Sequence, residues 1–275
     1  MNFKGYIFDM DGVLRVGNQA IPGTSDIIEN LISKKIKGAL CTNECRYTDN
    51  QLRTHLNDIG VHIPENWLVY TAGMATRDYI QEKLQKIQSI SIGIIGERGL
   101  IDTLSELESY DNFSIYDTPP EHIGNSLILV IGTVNKLTIE MLEKGLKWLK
   151  AGCKILLTCY DTNDPSSKGD DLNLVMPNHI LHLLKYNCNI PKPYSVGKPH
   201  PINVKYIKKF FKNISPENLL FVGDTISTDI QMAEENGLKS CLVLSGNTTE
   251  EALGKYIVEP DYIFNSVKEL NENLI

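Results

Sequence analysis

The 275-residue sequence predicts an α/β fold: a doubly wound, Rossmann-like parallel-sheet core with a second α/β domain inserted into it. Short apolar runs alternate with amphipathic, helix-length stretches from end to end, the pattern of repeated βα units. Several runs are apolar throughout, as strands covered on both faces are. Two polar stretches, residues 81–89 and 187–193, bracket a segment with strand and helix patterns of its own; the second carries Pro191 and Pro193. The expected division is a core of residues 1–83 and 191–275 and an inserted domain of residues 84–190.

In chain order, the strand candidates are residues 6–9, 38–42, 91–96, 127–132, 154–158, 194–196, 219–223 and 240–244. Residues 13–21 carry a Gly17-Asn18 turn and are expected to form a hairpin, with Arg15 solvated on it. Ile27, Ile28, Leu31 and Ile32 make one helical stripe; Leu52, Leu56 and Ile59 make a second. Ile139, Leu142, Leu146 and Leu149 make a third, and Val204, Ile207, Phe210 and Phe211 a fourth. Repeated crossovers of this kind give a mainly parallel sheet.

Hydrophobic residues are 42% of the chain and charged residues 22%, enough apolar material for a core and too much for disorder. With 27 Lys and Arg against 34 Asp and Glu, the net charge is −7, which argues against non-specific nucleic-acid binding. Small anionic substrates need only a local positive site. No apolar run approaches the roughly 20 residues of a membrane helix, and the N-terminal apolar stretch runs straight into two aspartates. Six cysteines without a CxxC pair are expected to be free thiols, in keeping with a cytoplasmic location.

In open α/β sheets ligands bind beyond the carboxyl ends of the strands, and four such ends carry polar groups. The first is Asp9-Met10-Asp11-Gly12. Alone it reads as an Asx turn with glycine supplying a positive φ; its two carboxylates repel unless a cation sits between them. The second, Thr42-Asn43, alone reads as a turn or cap. The third is Gly197-Lys198-Pro199. The fourth is Asp224, ending a strand, with Asp229 in the first turn of the next helix. All four are expected at one edge of one sheet. Four carboxylates, one ammonium and one hydroxyl suit phosphoryl transfer: magnesium takes oxygen ligands and lysine complements phosphate.

The order DxDG, TN, GKP, GDxxxTD resembles the haloacid dehalogenase superfamily of aspartate-nucleophile phosphatases. The large insertion between TN and GKP resembles class IIA, the nitrophenylphosphatase and pyridoxal-phosphate phosphatase type. Gly17 to Gly23, Gly96 to Leu100 and Thr158 to Pro165 resemble its flap, its first cap turn and its cap loop. Two departures, Cys159-Tyr160 before the cap aspartate and Val175 to His179 after that loop, touch substrate recognition and not the four core motifs.

The resemblance implies a Mg2+-dependent phosphatase acting on small phosphomonoesters: sugar phosphates, nucleotides, pyridoxal phosphate or nitrophenyl phosphate. Asp9 would be the nucleophile, forming an aspartyl-phosphate, and Asp11 the general acid and base. Asp9, Asp224 and the Asp11 backbone carbonyl would hold the metal, with Asp229 orienting a ligand water or Lys198. Thr42, Asn43 and Lys198 would bind the phosphoryl group, and Tyr160 and Asp161 of the inserted cap would contact the rest of the substrate. The partner is a small-molecule phosphate ester, with a homodimer through the cap as a further expectation. The alternatives are a phosphotransferase or phosphomutase of the same superfamily and a phosphate-binding regulatory module without turnover.

Overall fold

The computed structural model describes residues 3–121, 126–161, 174–185 and 190–275. The chain opens with β1 (Gly5–Phe8), the hairpin β2 (Arg15–Val16) and β3 (Gln19–Ala20), and α1 (Thr24–Ser33). Next come β4 (Lys37–Thr42), α2 (Asp49–Asp58), β5 (Leu68–Thr71) and α3 (Ala72–Leu84). The chain then builds a second sheet. It contributes β6 (Ile90–Ile95), α4 (Arg98–Ser105), β7 (Phe113–Ile115), β8 (Ser126–Ile131), α5 (Ile139–Lys150), β9 (Lys154–Leu157), α6 (Pro177–Lys185) and β10 (Tyr194–Ser195). The first sheet is completed by α7 (Pro201–Phe210), β11 (Leu219–Gly223), α8 (Gln231–Glu235), β12 (Lys239–Val243), β13 (Tyr262–Phe264) and α9 (Val267–Leu274).

The first sheet has the order β13-β12-β11-β1-β4-β5 and the second β10-β9-β8-β6-β7; every pairing in both is parallel. In β1, β4 and β11 alternate side chains go to opposite faces. Tyr6, Phe8, Leu40, Leu220 and Val222 pack with residues of α1, α2 and α9. Ile7, Ala39, Cys41, Leu219 and Phe221 pack with Val204, Ile207 and Phe211. A sheet covered on both faces in this way is doubly wound. The second sheet repeats the pattern, with Ile92, Val130 and Leu156 against Leu100 and Leu104, and Ile131 and Leu157 against Trp148, Ile180 and Leu184.

Placement departs from expectation at several points. Lys198 follows β10, and β10 pairs with β9 through Tyr194↔Leu156 and Ser195↔Leu157. The third polar loop therefore enters from the second sheet, and the four motifs do not share one sheet edge. On α5 the stripe is rotated: Ile139 is 73% exposed, while Gly145, Trp148 and Leu149 face inward. Trp148 supplies the larger apolar surface, and its burial sets the helix face. Ile32 likewise turns outward at the end of α1.

β1 is flanked by β11 on one side and β4 on the other. The chain runs outward from β1 through β4 and β5, then returns on the far side through β11, β12 and β13. The strand order thus reverses at β1, the position at which such sheets form a ligand crevice. Among the described residues no helix is long and apolar enough to cross a membrane.

Candidate active site

Asp9 is the residue after β1, and its amide still donates to Val222 O at 2.8 Å, extending the β1–β11 ladder by one position. The chain then turns sharply. Gly12 sits at φ +83°, a conformation that favours glycine, and its amide donates to Arg15 O at 2.8 Å. A Cβ there would lie 2.4 Å from Asp224 Oδ2, so the turn is also pressed against the neighbouring strand end. Gly17, at φ +56°, makes the two-residue connection between β2 and β3, as its Gly-Asn sequence requires.

Thr42 ends β4 and is buried; its hydroxyl accepts from the Glu44 amide at 3.1 Å. Asn43 joins three segments. Its Oδ1 accepts from the Lys198 amide at 2.8 Å and its Nδ2 donates to Asp161 Oδ2 at 2.7 Å. The Lys198 ammonium, 3% exposed as a residue, lies 2.6 Å from Asp9 Oδ1 and 2.7 Å from Asp229 Oδ1.

Asp224 follows β11 and is held on both oxygens: Oδ1 accepts from the Thr225 hydroxyl at 3.0 Å and Oδ2 from the Asn247 amide at 2.6 Å. A wide π-helical turn, residues Ile226–Ile230, then carries Asp229 back beneath the strand end. Asp229 Oδ2 accepts from the amides of Asp224 and Thr225, each at 3.1 Å. Carboxylate oxygens of Asp9, Asp224 and Asp229 come within 4.8 Å of one another.

Burial pushes the Asp9 carboxyl well above the carboxylate range; Lys198 offsets this in part, and Asp229 and Asp224 add to it. Asp224 is pushed up to about 7, by burial first and then by Asp229. For Lys198 burial disfavours the charge, but Asp229 and Asp9 outweigh it and the pKa rises well above that of an ordinary lysine. With all three carboxylates ionised, the single ammonium would leave two negative charges uncompensated, and in the absence of a cation burial favours the protonated forms of Asp9 and Asp224. A divalent cation cancels that excess, and an all-oxygen donor set is what magnesium takes. Of the three, Asp9 and Asp224 reach the cavity where an ion would sit and Asp229 does not, so Asp9 and Asp224 are the side chains that could ligate it directly.

These groups line a cavity of about 480 Å³ at the crevice of the first sheet. Asp9, Asp11, Thr42, Asn43, Lys198 and Asp224 line it from one side; Tyr160 and Asp161, just beyond β9, line it from the other. Asp229 lies beneath, touching Lys198. Burial together with Asp229 repulsion raises the Asp161 pKa, and the Asn43 hydrogen bond works against that rise. Tyr160 is 47% exposed, and its hydroxyl donates to Pro193 O at 3.2 Å. The rest of the expected cap loop, including Asn163, Asp164 and Pro165, lies outside the described residues. Asn178 donates to Tyr160 O at 2.6 Å and does not line the cavity.

Sequence reasoning missed several groups here. Arg15, expected to be solvated, is 3% exposed and donates from Nε to Asp11 Oδ1 at 2.9 Å. Glu44 is buried beside it, in a bidentate pair with Arg46. Asn247, Thr248 and Tyr256 also line the cavity. The signal for Asn247 and Thr248 was available, because residues 245–249 follow a strand whose end reaches the same crevice.

A haloacid dehalogenase-like hydrolase family model matches residues 6–109, and a second, HAD-hydrolase-like, matches residues 195–270. Between them they take in the strand ends that carry Asp9, Thr42, Lys198 and Asp224. The chain belongs to the haloacid dehalogenase-like hydrolases. Within that family it is a class IIA phosphatase, a phosphomonoester hydrolase. Its relatives match end to end. It is 27% identical to the ribonucleotide monophosphatase NagD of Escherichia coli K12, over 98% of this chain and 99% of that one. It is 27% identical to an acid sugar phosphatase of Staphylococcus aureus, over 98% and 96%. The crystal structure of a 4-nitrophenylphosphatase from Thermotoga maritima superposes with a TM-score of 0.80 at 26% identity, covering 99% and 98% of the two chains.

Proposed function

We propose that this haloacid dehalogenase-like hydrolase is a Mg2+-dependent phosphatase of small phosphomonoesters that works through an aspartyl-phosphate on Asp9. The observation that carries this is the buried Lys198 ammonium between Asp9 and Asp229, beside the buried Asp224 carboxylate. A lysine there neutralises phosphoryl oxygens and holds the attacking carboxylate in place. Asp9 and Asp224 would hold the metal, together with the backbone carbonyl of Asp11. When bound, the ion supplies charge neutralisation for the phosphoryl group.

An Asp9 carboxylate oxygen forms a bond to phosphorus as the bond from phosphorus to the ester oxygen breaks. Asp11 gives its proton to the departing alkoxide. Water then forms a bond to the same phosphorus and passes a proton to Asp11. The bond between phosphorus and Asp9 breaks, and inorganic phosphate leaves with both catalytic carboxyls restored. Thr42 and Lys198 would bind phosphoryl oxygens, where charge spreads in the transition state. Asn43 contributes by holding the Lys198 backbone and Asp161 together. The second sheet would act as the cap, with Tyr160 and Asp161 facing the leaving portion. Ribonucleotides, sugar phosphates and nitrophenyl phosphate, for which the relatives are named, are the first substrates to try.

The test is hydrolysis of nitrophenyl phosphate and a panel of alkyl phosphates, with magnesium and with excess chelator. Turnover that depends on magnesium supports the proposal; full activity in chelator refutes the metal assignment, and phosphate binding without release refutes turnover.

A further inference from the structure

A chain of charged side chains stands outside the reaction scheme, with Glu44 and Arg46 in the cavity lining and Arg15 behind it. It begins at Arg15, which is buried although it lies on a short hairpin, and which does not line the cavity. Arg15 Nε donates to Asp11 Oδ1 at 2.9 Å, and its Nη2 lies 3.7 Å from Glu44 Oε2. Glu44 is held in turn. Its Oε1 accepts from the amides of Cys45 at 2.9 Å and Arg46 at 2.7 Å, and both oxygens take the Arg46 guanidinium. Arg46 Nη1 then donates to Asn135 Oδ1 at 2.7 Å, beyond β8 of the second sheet.

The charges in this chain support one another. Burial disfavours the Arg15 cation, but Asp11 and Glu44 outweigh it. Burial likewise disfavours the Glu44 anion, and Arg46 and Arg15 overcome it, holding the carboxyl below its usual range. A guanidinium presents its donors in a rigid plane, so a carboxylate bonded to a fixed guanidinium has its own plane restricted. Proton transfer to a leaving group depends on such placement, and small errors are costly.

We propose that Arg15 is a positioning residue for Asp11: paired with the buried Glu44, which Arg46 holds in place while Asn135 holds Arg46, it fixes the direction in which the acid–base carboxyl faces. The proposal rests on the role assigned to Asp11 above.

The test compares kcat and KM for the best alkyl phosphate of the panel and for nitrophenyl phosphate, whose leaving group hardly needs a proton. The variants are Arg15→Met, Arg15→Lys, Asp11→Asn and the Arg15→Met/Asp11→Asn double variant, with folding checked by circular dichroism. Arg15→Met is expected to lower kcat on the alkyl ester about 10- to 100-fold with KM within about twofold, and to cost less than about fivefold on nitrophenyl phosphate. In the Asp11→Asn background the same change is expected to cost less than about twofold, because the group it positions is gone. Arg15→Lys keeps the charge without the planar fork and is expected to recover part of the loss.

Equal losses on both esters, or the same loss in both backgrounds, would overturn the proposal. If Arg15→Met does not fold, the lysine variant decides on the same criterion. An Asp11→Asn enzyme that loses equally on both esters refutes the acid–base role itself, and the positioning role with it. A leaving-group effect in Asp11→Asn that Arg15 variants do not share refutes the positioning role alone.

Discussion

Without metal, the cluster at the strand ends should make the protein less stable as pH rises from about 4 toward neutrality. Asp224 is 1% exposed, and its carboxyl moves from the ordinary 3.8 to about 7 on folding, chiefly through burial and then through Asp229. A carboxyl with a raised folded-state pKa binds its proton more tightly in the native state. The stability it contributes is complete below the unfolded value and is lost as pH rises through the folded one. At about 1.4 kcal/mol per tenfold change in proton affinity, the window from 3.8 to about 7 is worth on the order of 4 kcal/mol. Asp224→Asn removes the titration and leaves a near-isosteric side chain. Its lost hydrogen bond to Asn247 or Thr225 is a pH-independent offset of about 1–3 kcal/mol. The assay is urea unfolding of both proteins in chelator from pH 4.5 to 7.5. Relative to Asp224→Asn, the unsubstituted protein should lose about 2–4 kcal/mol across that range, and excess magnesium should remove the trend. A difference that is flat with pH, or that grows in favour of the unsubstituted protein as pH rises, would refute the charge assignment.

Other substitutions read the site from different sides. Gly12→Ala would place a methyl 2.4 Å from Asp224 Oδ2 on a backbone at φ +83°, so magnesium affinity and turnover should both fall, by at least about tenfold. Calcium takes 6–8 oxygen ligands at longer distances than magnesium, so replacing one by the other should inhibit, about tenfold or more in kcat. Asp161→Ala should lower kcat/KM on every ester about 5- to 50-fold, because it releases Asn43, which holds the Lys198 amide. Tyr160→Ala, at the exposed rim, should instead lower kcat/KM on the preferred substrate and spare nitrophenyl phosphate; equal losses on both would assign Tyr160 to structure.

Strands were the most legible feature of the sequence. Runs such as residues 91–96 and 219–223 are apolar enough to be covered on both faces, and each lies within a residue of the strand observed. The cavity-lining groups were legible for the same reason, since Asp9, Thr42 and Asp224 stand where such runs stop. What was hidden depends on long-range pairing. Nothing local distinguishes Arg15 on a polar hairpin from a solvated arginine, because Glu44, which helps to bury its charge, lies 29 residues away in sequence. Nothing in residues 194–196 tells which sheet they join, and the pairing with Leu156 and Leu157 decides it. Ile139 satisfied the spacing of a buried stripe, but the competing face held Trp148, whose area dominates the packing of α5.

The central claim is that phosphorus is attacked twice, first by Asp9 and then by water. Each in-line displacement inverts the configuration at phosphorus, so the two together restore it. The direct measurement is the stereochemical course of hydrolysis of a thiophosphate monoester made chiral at phosphorus with an oxygen isotope, in water labelled with a further isotope so that the inorganic thiophosphate released is itself chiral. Net retention is the result this account predicts, and net inversion, the signature of a single attack by water, would contradict it.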